Sequence, residues 1–113
     1  MKIARLQAEL KQLVKVSDEI RYKNIFDGRQ FTSGVIVFRA SKGANRKQIK
    51  HSDKDVVCHV LKGRGCLRVR KRRFPLAAGM VCHIPRGTPH DFSAEGRAVL
   101  VMFYSLINRA ALR

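Results

Sequence analysis

Apolar residues recur along this chain at two different periods. In the first stretch Ile3, Leu6, Leu10, Leu13 and Val14 fall at helical spacing with basic and polar residues between them, which predicts a short amphipathic helix near the start. From Ser33 onward the pattern changes to short β-rich runs separated by glycines or charged turns, over residues 35–39, 56–61, 66–70, 81–84 and 98–104. No helical segment lies between these runs. Parallel βαβ units are therefore excluded, and an all-β antiparallel sandwich or barrel remains. Arg70 to Arg73 reads as a charged reversal, while Pro85 and Gly87 read as a corner from which His90 begins a return strand.

Three of the runs, 56–61, 81–84 and 99–104, are apolar at both parities, so a period of two leaves them no solvent face. One face can fill an interior. The other needs a cover, which predicts a homodimer, with self-coverage by the N-terminal forty residues as the competing explanation. The N-terminal helix is expected to dock on its own barrel or on a dimer mate. Lys2, Arg5, Lys11 and Lys15 would also suit lipid phosphates, but Glu9 and the modest length weaken a membrane-surface role.

The chain has 113 residues, room for one domain. Its 24 Lys and Arg against 8 Asp and Glu give a formal charge of +16, a field that attracts anions: phosphorylated small molecules, nucleic acid or an anionic surface. Charged residues interrupt the first apolar positions, so neither an export signal nor a membrane-spanning run is expected. Cys58, Cys66 and Cys82 then read as reduced thiols of a cytoplasmic protein, not as a disulfide framework.

Two glycine-framed segments carry a resemblance. In the first, Gly43 is followed by five residues, then Ile49-Lys50-His51, four residues, Val56, six residues and Gly63. In the second, Gly79 leads to Pro85-Arg86-Gly87 and Thr88-Pro89-His90, with Ala94 four residues later. Residues 64–78 separate the two. These spacings resemble the two motifs of small single-domain cupins (the cupin type 2, RmlC-like jelly-roll family). The resemblance implies an antiparallel jelly-roll barrel over residues 33–105, preceded by a helix or extended arm over 1–32 and followed by a tail over 106–113.

Metal-binding members of that family use two His and a Glu from the first motif and one His from the second. Here Ile49 and Val56 stand at the first His and the Glu position, leaving His51 and His90. Two imidazoles alone hold a divalent metal weakly, so loss of the metal is the favoured expectation. The alternative is a rebuilt site of His51, His90 and Cys58, because an inward Val56 places Cys58 inward as well, with Cys82 or His83 available from a facing strand. The expected pocket is thus lined by His51, Val56, Cys58, Cys82, His83 and His90. His59 points the opposite way, toward whatever covers the barrel. Asp53, Asp55 and Asp91 read as turn residues, and no nucleophile or acid dyad is visible.

Strand alternation also predicts that Arg68, Arg70 and Arg72 share one face, an anion-binding ridge, with Lys42, Arg46, Lys47 and Lys50 as a second cluster near the pocket mouth. A solvated surface that protects an edge strand is the plain alternative. The leading expectation is a small cytoplasmic cupin that binds a small molecule, of the anionic kind its charge favours, in its barrel. The alternatives are a metal-dependent dioxygenase or isomerase with a rebuilt ligand set, and an anion or nucleic-acid binder acting through residues 68–73.

Overall fold

The structure, a computed structural model, describes residues 1–40, 48 and 50–108. Strands β1 (Val14–Lys15), β2 (Ile20–Asp27), β3 (Phe31–Phe38), β4 (Lys54–Lys62), β5 (Arg64–Val69), β6 (Arg72–Ala77), β7 (Val81–Ile84), β8 (His90–Ala94) and β9 (Leu100–Asn108) follow a single helical turn, α1 (Leu6–Glu9). They form a six-stranded sheet, β1-β2-β3-β9-β4-β7, facing a three-stranded sheet, β6-β5-β8. Every pairing is antiparallel. This is an all-β jelly roll whose two sheets stay separate at their edges. Among the described residues no helix is long and apolar enough to cross a membrane.

The five expected runs appear as β3, β4, β5, β7 and β9, and the return strand begins at His90 as β8. Strands β1, β2 and β6 are additional. The N-terminal helix differs from expectation: only four residues are helical, none of them is buried, and Val14 lies in a strand. So short a segment has too few internal hydrogen bonds to persist without an apolar face to dock, and here its anchors are polar. Lys23 Nζ meets Glu9 Oε2 at 2.5 Å and donates to Gln12 Oε1 at 2.6 Å.

Period two sorts the side chains of the large sheet. Val56, Cys58, Val60, Leu100, Met102 and Tyr104 face the small sheet and form the core with Leu67, Leu76, Ile84 and Ala94. The opposite parity faces outward. Val35 is wholly buried there and Val101 nearly so, whereas Val57 is 38% and Val81 70% exposed.

Two glycines shape the interior. At Gly34 an added Cβ would collide with the Lys23 carbonyl across the ladder and crowd the Tyr104 hydroxyl. At Gly63, with φ of 90°, it would collide with the Val99 carbonyl. The β4–β5 corner therefore needs both a left-handed backbone and a missing side chain.

The hairpin between β5 and β6 corrects the ridge. A two-residue turn, Arg70-Lys71, pairs Val69 with Arg72 and Arg68 with Arg73, so Arg68 shares its face with Arg73 and not with Arg72. Reversing the chain through two residues shifts the parity that uninterrupted alternation would have kept. Arg70 takes a left-handed φ of 56° to make the turn. Gln48 Nε2 donates to its carbonyl at 3.0 Å.

Candidate functional site

Between the sheets lies a cavity of about 410 Å³. Strands β2, β3, β4 and β9 supply its long wall with Ile20, Tyr22, Asn24, Ile36, Phe38, Val56, Cys58, Met102, Tyr104 and Leu106, and Phe92 of β8 closes it from the small sheet. These positions share one parity on each strand, which is why one inner face becomes one wall. His51 reaches the cavity from the segment before β4. No Lys, Arg, Asp or Glu is among the described lining residues.

Two polar groups mark different sides. On one, His51 and His90 come together with ring centroids 6.1 Å apart, and the His90 ring meets Phe92 edge-on at 5.8 Å. His90 is 3% exposed, and its Nδ1 lies 2.8 Å from the Thr88 carbonyl. A carbonyl only accepts, so Nδ1 carries the proton in this contact. The His51 backbone is fixed as well, its carbonyl accepting from Gly87 N at 2.6 Å. Burial, then the neighbouring His90 and Lys54, hold the His51 imidazole below its ordinary 6.5. It is neutral at pH 7. On the other side the Tyr104 hydroxyl donates to Asn24 Oδ1. Burial, then Tyr22 and Asp27, push the phenol up to about 12, so it stays a hydrogen-bond donor.

The structure brings His51, Val56 and Cys58 to this cavity, with His90 buried behind His51. It does not bring Cys82 or His83, which line a second cleft between the β6 and β7 edges together with Leu67, Phe74 and Leu76. His83 is more than half exposed, its Nε2 3.4 Å from Asp55 Oδ2. Asp55 is no solvated turn residue. It is 6% exposed, and its Oδ1 accepts from Arg86 N at 3.0 Å, pinning the corner that precedes His90. Tyr22, Asn24, Phe92 and Tyr104 were not expected in the site. The alternation of Ile20, Tyr22 and Asn24 with Arg21 and Lys23 is the signal that marks β2 as a half-buried strand.

The ridge is partly consumed by the fold. Arg68 donates from Nε at 2.9 Å and from a terminal nitrogen at 2.7 Å to Asp91 Oδ2, its neighbour on β8. Asp91 is thus an ion-pair residue, not a turn residue. Arg72 lies over the Phe74 ring at 5.3 Å. Arg70 is spent in the turn, Lys50 is exposed beside His51, and Lys42, Arg46, Lys47 and Ile49 lie outside the described residues.

Residues 36–105 match the family model described as the cupin domain, well over half of the chain. The chain is a member of the cupin family. Solved structures agree on the fold. A protein described as TT1209 from Thermus thermophilus superposes with a TM-score of 0.74 at 22% identity, covering 96% of this chain and 98% of that one. A cupin 2 conserved barrel domain protein from Salinispora arenicola gives 0.75 at 17% identity, covering 99% and 92%. KdgF from a Halomonas species gives 0.70 at 19%, covering 89% and 90%. No curated protein matches the chain.

The divalent metal that the cupin fold often carries does not fit the residues present. Val56, at the carboxylate position, is 5% exposed in an apolar wall, and position 49 is an isoleucine that offers no donor. Cys58 lines the cavity, but its hydrogen bond with Cys82 and its burial push the thiol up, away from the thiolate that a metal would need. Among the described residues no group of three or more His, Cys, Asp or Glu could hold a metal ion. Without a carboxylate or thiolate beside the two imidazoles, nothing offsets the cost of dehydrating the ion.

Proposed function

We propose that this cupin binds a small molecule inside its barrel, and that hydrogen bonds and apolar contact hold it there without a metal. The observation that carries this reading is the cavity itself: an apolar chamber with a neutral imidazole on one side and a tyrosine hydroxyl on another, the usual composition of a small-molecule site. Van der Waals contact with Ile36, Phe38, Met102 and Leu106 selects for an apolar body. His51 and Tyr104 fix its polar groups. An acidic group on the ligand is favoured at the His51 side, where the positive charge of Lys54 is already felt by the imidazole.

The test uses anilinonaphthalene sulfonate, an aromatic anion that fluoresces in apolar surroundings. Saturable binding of one equivalent is expected, lost when Leu106→Trp fills the chamber while far-ultraviolet circular dichroism stays unchanged. Equal binding by the filled variant would place the probe elsewhere and sink the reading.

The exposed apolar side chains of the outer face favour a homodimer. Val57 and Val81 are neighbours across His59 and His83 on the outer side of β4 and β7, and both are exposed. A second copy laid over this apolar edge would bury them. Light scattering is expected to report twice the chain mass, and Val57→Glu combined with Val81→Glu is expected to return the monomer.

A further inference from the structure

Cys58 and Cys82 stand directly opposite one another on β4 and β7, and the pair belongs to no role assigned so far. Cys58 is 2% exposed and lines the barrel cavity, while half-buried Cys82 lines the edge cleft, so the pair forms the wall between two cavities. We propose that Cys58 and Cys82 are a dithiol that hydroperoxides convert to an intramolecular, readily reversible disulfide.

The geometry is permissive and slightly strained. Val60 N donates to the Met80 carbonyl at 2.8 Å, and two residues along the ladder Cys58 and Cys82 occupy the same kind of hydrogen-bonded position. At such positions Cα atoms are about 5.5 Å apart, inside the span of about 4.4–6.8 Å that disulfides accept. The Cβ atoms of facing residues stand up to about 5.5 Å apart, wider than the roughly 3.8 Å a disulfide prefers, so closure must draw the strands together. β7 can yield because it is the last strand of its sheet and only four residues long. Strain of this kind makes the bond easy to reduce.

The two sulfurs are not equivalent. The Cys58 thiol hydrogen-bonds Cys82, which pulls the Cys82 thiol down against its own partial burial and pushes the Cys58 thiol up. Cys82 is also the one open to the cleft, so it is the nucleophile. Its thiolate attacks the peroxide oxygen, an S–O bond forms as the O–O bond breaks, and the departing oxygen takes a proton and leaves as water or an alcohol. The Cys58 sulfur then attacks the Cys82 sulfenic acid. The S–S bond forms, the S–O bond breaks, and hydroxide leaves as water with the proton from Cys58. The thiols lose two electrons and two protons, which the hydroperoxide accepts.

Cys66 provides the control. It lies on the small sheet opposite Pro75 and Ser93, and its Sγ donates to the Leu67 carbonyl at 3.7 Å, far in the fold from the other two. The experiment treats reduced Cys66→Ser protein with hydrogen peroxide and counts thiols. Both remaining thiols are expected to disappear, the intact mass to fall by two hydrogens, and peptide mapping to join residues 58 and 82 within one chain. Dithiothreitol is expected to restore both. In Cys58→Ser the reaction is expected to halt at a Cys82 sulfenic acid that dimedone traps. The same map on the unaltered chain covers the case in which a variant fails to fold. Survival of both thiols, a Cys82 sulfinic acid beside reduced Cys58, or a link between two molecules would each overturn the proposal.

Discussion

The six-stranded sheet carries apolar side chains on both faces of β4 and β9, whereas the three-stranded sheet turns its large ones, Leu67, Leu76 and Phe92, inward and sets Arg64, Arg68 and Arg73 on the outer face. The difference separates two properties that the sequence presents together. The chain bears a formal +16, yet none of that charge enters the described cavity wall, because the inner face of the large sheet is built from uncharged side chains. Charge is carried by turns, by the outer face of the small sheet and by other positions of the large sheet such as Arg21 and Lys23, and on the small sheet Asp91 already answers Arg68. The apolar cavity and the basic side chains therefore occupy different surfaces, which meet at the His51 end.

The largest test of that separation is Met102→Ala. Met102 is wholly buried at the middle of β9, and removing it should cost about 2–5 kcal/mol of unfolding free energy in urea melts. A cost below that of any change on the outer face of the small sheet would break the comparison. Asp91→Ala comes next. The Arg68–Asp91 pair is 21% and 10% exposed, so removing this carboxylate from the guanidinium should cost about 1–3 kcal/mol. Moderate salt should shrink that penalty while leaving the Met102→Ala penalty unchanged.

His51 sharpens the junction between the surfaces. Burial first, then His90 and Lys54, lower its folded pKa below the 6.5 of the unfolded chain, so between those values the unfolded state binds more protons. The stability from the neutral imidazole is fully present above about pH 6.5 and is lost as pH falls from there through the lowered folded value. Melts of the parent chain and His51→Gln compared across about pH 5 to 8 should show the acid-side slope reduced in the variant. An unchanged slope would remove His51 from the buried site. The smallest effect is Arg72→Ala, where loss of the contact over Phe74 should cost about 0.5–1 kcal/mol, read as a small shift in the urea midpoint.

Much of this architecture is legible in the sequence. The short apolar runs announced the strands β4, β7 and β9, and the glycine-framed segments placed His51 and His90 in one interior, where their rings lie 6.1 Å apart. Ile49 and Val56 announced the missing ligands directly. Strand β2 was harder to read. Its alternation of Ile20, Tyr22 and Asn24 with Arg21 and Lys23 follows a stretch patterned like a helix, and two of its cavity-facing positions are polar. The arginine ridge misled for a definable reason: alternation holds along a strand, and the Arg70-Lys71 turn shifts it.

By itself, then, the amino-acid sequence determined the all-β class, the shared parity of Val56 and Cys58, and the presence of Ile49 and Val56 at two ligand positions of the cupin pattern, because each follows from local period or side-chain chemistry. Tertiary structure decided which strands became neighbours: Asp91 beside Arg68, Asn24 under Tyr104, and Cys82 opposite Cys58. Such pairings join residues up to 80 positions apart in the chain. Their register is set by the packing of two whole sheets, and no local pattern carries it.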